Sequence, residues 1–228
     1  MIRESGLPRR GANREAPQPE ARMTIRLHRG DLLPDLSAYK DTVAIDTEAM
    51  GLDPHRDRLC VVQLSPGDGS ADVVQIAAGQ KHAPNIERLL TDSAVLKIFH
   101  FARFDIGLMA ATFGVMAAPV YCTKIASRLA RTYTDKHGLK DLSREVLGID
   151  LSKQQQLTDW GADELTDAQV AYAATDVLHL HALKARLDAM LAREGRTELA
   201  EACFRFLPDR ARLDLAGWPD QDIFSHSG

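Results

Sequence analysis

Four short runs of β-branched and apolar residues, Thr24 to His28, Thr42 to Glu48, Leu59 to Ser65 and Ala71 to Ile76, crowd into the first third of the chain. Runs of that length and make-up form strands, and their closeness along the sequence ties them into one sheet. The connecting segments GLDPHRD and PGDGS are short enough for antiparallel hairpins between the second, third and fourth runs. Beyond Pro84 the pattern changes: NIERLLTD reads as helix, VLKIFH as one more short strand, and the chain is predominantly helical from Asp105 onward. Helices are expected over FDIGLMAATFG, CTKIASRLARTY, LKDLSREVLG, the long stretch Thr166 to Gly195, and Arg196 to Asp214. Thr166 is placed to cap the long helix and Gly195 to stop it. Strands first and helices later predict an α/β domain, a mixed sheet flanked by helices.

A chain of 228 residues can bury one substantial core without staples. A single domain is expected over residues 23–228, ending in a tail. Residues 1–22, rich in Arg, Glu, Pro and Gly, are too poor in apolar side chains to repay ordering and are expected to be disordered. Cys60, Cys122 and Cys203 lie far apart and form no CxxC pair, which argues against zinc or a disulfide framework and fits a reducing cytoplasm. No apolar run reaches bilayer length, and the N-terminus lacks a signal-peptide core. The net charge of −4 argues against coating long nucleic acid, but not against a site where cations neutralise clustered carboxylates.

Asp46 and Glu48 stand two apart at the end of a strand pattern, so alternation puts both on one face. Like charges so placed repel unless a cation lies between them; otherwise they mark a solvated strand end. Asp105 comes after the short fifth strand near the start of a helix, where it is either part of the same site or an acid set against the helix dipole. Tyr172 and Asp176, four apart, share a helical face on which they can orient a water between them, or simply pack.

In this order and context the motifs resemble the tyrosine-bearing branch of the DEDD 3′-5′ exonuclease superfamily. The stretch Gly138 to Asp176 is similar to the corresponding part of ribonuclease D. The resemblance implies a ribonuclease-H-like fold and a catalytic set of Asp46, Glu48, Asp105, Tyr172 and Asp176. Two Mg²⁺ or Mn²⁺ ions per site are implied, Asp46 bridging, Glu48 and Asp176 completing one position and Asp105 serving the other, with Tyr172 holding the attacking water.

The short chain, its acidic balance and the ending LDLAGWPDQDIFSHSG are similar to the nanoRNase C group of that family, which implies very short RNAs, dinucleotides above all, as substrate, and a homo-oligomer, an octameric ring as in that group. A broader ribonuclease-D-like exonuclease acting on longer RNA or single-stranded DNA is the alternative, and a non-catalytic nucleic-acid-binding protein of the same fold a further one. Leu52 corresponds to a leucine that wedges between the two bases of the substrate in related enzymes, and reads equally as a loop leucine capping the core. His100, Phe101, Arg103, Gln155, Gln156 and Trp160 are candidate substrate contacts, each with an ordinary packing or loop explanation. Arg103, Lys124, Arg128, Lys136 and Lys153 are candidates for gripping a terminal phosphate. Trp218, Ile223 and Phe224 are expected to dock on a neighbouring subunit or to fold back, carrying His226 and Ser227 towards a phosphate pocket.

Overall fold

Both faces of the segment Leu59–Ser65 are buried along its whole length, which makes it the interior strand around which the rest is laid. The computed structural model describes residues 23–152 and 158–226. The expectations for residues 1–22 and for Lys153, Gln155, Gln156 and Ser227 lie outside the described residues. Six strands, β1 (Thr24–Arg29), β2 (Thr42–Ala49), β3 (Leu59–Ser65), β4 (Ser70–Gln75), β5 (Leu96–Phe99) and β6 (Val120–Cys122), form one mixed sheet in the order β1-β4-β3-β2-β5-β6. The two expected hairpins are present: β2 pairs antiparallel with β3, and β3 with β4. β1 crosses back to pair in parallel with β4, while β5 and β6 extend the other side in parallel with β2. The β3–β4 turn needs glycine at position 67, where φ is +89° and a Cβ would sit 2.9 Å from the ring of His181.

Seven helices among the described residues cover this sheet: α1 (Pro84–Thr91), α2 (Ala102–Phe113), α3 (Thr123–Ala130), α4 (Leu139–Leu147), α5 (Asp167–Leu178), α6 (Leu180–Arg193) and α7 (Thr197–Leu215). Thr166 caps α5 as expected, in a reciprocal box with Gln169. Two expectations are corrected. The stretch Thr166 to Gly195 is two helices broken at His179, because α5 packs on β1 to β4 while α6 packs on α3, α4 and α7. The residues Val120 to Cys122 form a sixth strand where helix was expected to begin at Cys122. Among the described residues no helix is long and apolar enough to cross a membrane.

Candidate active site

Strands β2, β5 and β6 run in parallel, so their C-terminal ends open on the same edge of the sheet. The residues at and just beyond those strand ends are therefore gathered in one place, the usual position of a ligand site in such sheets. β2 delivers Asp46 and Glu48, β5 leads into His100 and Phe101, and β6 leads into Thr123 and Lys124. The pairing of β2 with β3 shifts register between Glu48 and Ala49, whose partners are Val61 and Leu59. Cys60 is thus the extra residue of a bulge, a device that re-aims side chains beside many active sites. α5 brings Tyr172 and Asp176 to the same cavity, of about 340 Å³, which also takes in Lys140 and Ser152. A larger groove of about 770 Å³ between β6, α6 and α7 is mainly apolar and holds none of these acids.

Carboxylate oxygens of Asp46, Glu48 and Asp176 lie within 4.8 Å of one another. Asp105, in the first turn of α2, is 3% exposed and accepts a 2.6 Å hydrogen bond from the Thr47 hydroxyl. Burial, then the charges of Asp105, Asp176 and Glu48, push the Asp46 carboxyl well above the usual carboxylate range. Burial followed by Asp176 and Asp105 pushes Glu48 up to about 8. Asp105 and Asp176 are pushed up to about 7 by burial, moderated respectively by Thr47 and by the Tyr172 hydroxyl. Among the described residues no lysine, arginine or histidine forms an ion pair with any of the four. Four crowded, uncompensated carboxylates offering only oxygen donors fit hard divalent cations.

The remaining candidates separate. His100 and Phe101 line the cavity. The ring of His100 is held by Thr123 at 2.9 Å, and burial, followed by Lys124, pushes its pKa down to about 3, so it is neutral. Phe101 has a left-handed backbone (φ +69°) and lies 4.3 Å from the Lys124 ammonium, the ring centroid facing the charge. Leu52 is 83% exposed in the β2–β3 loop, which excludes the core-capping reading.

Two assignments are corrected. Trp160 is 4% exposed and packs on Tyr172, with ring centroids 6.1 Å apart, so it backs the tyrosine and does not face a substrate. Arg103 is turned away to bind Asp214 and the Pro219 carbonyl, where it and Arg210 strap residues 218–221 against α7. Of the two expectations for the C-terminal segment, the chain shows the fold-back, Phe224 meeting Phe206 edge-on at 5.9 Å, and the exposed His226 is not among the residues lining the acidic cavity.

Sequence reasoning missed Lys140, Ser152 and Thr47. For Lys140 a signal was present: it sits in the first turn of α4, as Lys124 does in α3, where a cation opposes the helix dipole.

A 3′-5′ exonuclease family model matches residues 30–192. The chain is 36% identical to ribonuclease D of Gluconacetobacter diazotrophicus over 169 residues, 74% of this chain and 42% of that protein. It is likewise 36% identical to ribonuclease D of Acidiphilium cryptum over 194 residues, 80% of this chain and 49% of that protein. The chain thus spans about half the length of the curated relatives it matches. Among solved structures, Brucella melitensis NrnC with bound Mg²⁺ superposes with a TM-score of 0.87 at 61% identity, covering 90% of this chain and 100% of that one. The same Brucella protein bound to pGG gives 0.87 at 62%, with the same coverage. Escherichia coli RNase D shares the fold at a TM-score of 0.69 and 24% identity, over 77% of this chain and 46% of that one.

Proposed function

Because the chain belongs to the 3′-5′ exonuclease family, we propose that it is a metal-dependent exoribonuclease that hydrolyses very short RNAs, dinucleotides foremost, to nucleoside 5′-monophosphates. The observation that carries this reading is the meeting of Asp46, Glu48 and Asp176 in a small cavity whose other residues include two unusually placed lysines. Similarity over 90% of this chain to a protein seen with pGG supports the short substrate.

Asp46, Glu48 and Asp176 would hold one Mg²⁺ or Mn²⁺, and Asp46 with Asp105 a second. Bound divalent cations supply a water of lowered pKa and neutralise charge building on the phosphate. The chain's own groups set the geometry. Burial, then Asp176, pushes the Tyr172 phenol upward in the cation-free chain, and the phenol would orient the attacking water by hydrogen bonding. Trp160 fixes the tilt of that ring from behind. Lys124 and Lys140 receive a terminal phosphate, with the N-termini of α3 and α4 adding to the attraction. Phe101 offers a ring to a base, and a neutral His100 adds no charge. The exposed Leu52 is available to wedge between bases. The protein works in the cytoplasm as a homo-oligomer.

Substrate length is the test. 5′-labelled RNAs of two to seven nucleotides, incubated with Mg²⁺ beside an EDTA control, should show the dinucleotide consumed at least about tenfold faster than the heptamer, and nothing consumed in EDTA. Equal rates at every length would favour the broader exonuclease that the ribonuclease D relatives suggest. Phe101→Gly provides a second check. Relief of the left-handed backbone offsets the lost ring–ammonium contact, so stability should stay within about 1 kcal/mol of the parent. KM for a dinucleotide should rise about tenfold, the loss expected for one stacked base. An unchanged KM would remove Phe101 from the substrate site.

A further inference from the structure

We propose that Thr47 is a positioning residue for the second cation site, acting through Asp105. The inference rests on the functional reading above and extends it to a residue outside the acidic set. Alternation along β2 sends Asp46 and Glu48 to one face, which leaves Thr47 between them pointing the other way. From there its hydroxyl reaches Asp105 on α2, donating to Oδ1 at 2.6 Å. Both partners are enclosed, Thr47 at 7% and Asp105 at 3% exposure. A hydroxyl has one hydrogen to give, and here it is given to a carboxylate, which can only accept. That fixes one oxygen of Asp105 and with it the rotation of the whole group, so the other oxygen is presented in one direction. The bond also joins β2 to α2, so the strand that carries two acids sets the third as well. Outer hydrogen bonds of this kind orient ligating carboxylates, and their loss typically lowers metal affinity by about 10- to 100-fold.

The comparison uses Thr47→Val, which keeps the shape and deletes the donor, and Thr47→Ser, which keeps the donor. Mg²⁺ binding is read by titration calorimetry and by the Mg²⁺-induced rise in melting temperature, independently of catalysis. Thr47→Val should weaken Mg²⁺ binding by about tenfold, and Thr47→Ser should restore it to within about threefold. In an Asp105→Ala background, Thr47→Val should cause no further loss, because the carboxylate that the hydroxyl orients is already gone. If valine weakens the fold in EDTA, Thr47→Ala carries the same comparison. Normal Mg²⁺ binding by Thr47→Val beside impaired binding by Asp105→Ala would overturn the proposal and leave the metal site standing. Normal binding by Asp105→Ala itself would overturn the assignment of Asp105 to a cation, and the proposal with it.

Discussion

Asp46→Asn and Asp176→Asn should each lower the rate of dinucleotide hydrolysis by about a thousandfold or more, while raising the melting temperature of the metal-free protein. The two effects have one cause. Asp46, Glu48, Asp105 and Asp176 are crowded without an ion-pair partner among the described residues, so the folded chain carries their mutual repulsion at alkaline pH, where the comparison is made, until cations neutralise it. Removing one charge relieves the repulsion and at the same time removes a ligand on which charge stabilisation in the transition state depends. Single-turnover rates at saturating Mg²⁺ and calorimetric melts in EDTA measure both. A variant that lost activity and also melted earlier in EDTA would show a packing defect. One that kept its activity would remove the residue from the metal site.

The metal-free protein should lose stability as pH rises from 5 to 8, and Mg²⁺ should cancel that loss. Asp105 and Asp176 are pushed up to about 7 and Glu48 to about 8 in the folded chain, against ordinary carboxylate values near 4 once unfolded. Between these limits the folded state binds more protons than the unfolded one, so stability falls with pH. The contribution is fully present below about pH 4 and is lost as pH climbs through 7 to 8. Mg²⁺ binds the deprotonated carboxylates, so its benefit grows over the same window. Free Mg²⁺ at about a hundred times its Kd adds roughly 2.7 kcal/mol. For a chain of this size that is about 5 to 10 °C in melting temperature. Melts at pH 5, 6.5 and 8, in EDTA and in Mg²⁺, should therefore diverge most at pH 8. Curves in EDTA that do not move with pH, together with no Mg²⁺ shift, would contradict the electrostatics.

The sequence was most readable where a pattern is local. The two hairpins were visible because their turns are short and their strands are bounded by Gly, Pro and Asp, and the Thr166 cap because capping is decided within one turn. The pairing of Asp46 with Glu48 followed from strand alternation, and that of Tyr172 with Asp176 from helical spacing. The break at His179 was hidden because buried positions 173, 177, 180, 183, 187 and 191 keep helical spacing straight through it. Strand β6 is three residues long and runs directly into α3, too brief for a period to register. Arg103 and Trp160 were misassigned because their partners, Asp214 and Tyr172, are chosen by tertiary packing and not by neighbours in the chain. Thr47 shows the same limit at the site itself: its place between two acids is written in the sequence, whereas its reach to Asp105 depends on how α2 docks.

The acids that meet in the cavity lie far apart along the chain, Asp46 in the second strand and Asp176 in a helix that packs back across β1 to β4. The proposed catalytic set is therefore incomplete until late in the synthesis of the polypeptide. A nascent chain emerging N-terminus first lacks its final acid until Asp176 has been synthesised. A chain still on the ribosome therefore lacks Asp176 for most of its synthesis, and any fragment ending before α5 lacks a member of the proposed catalytic set.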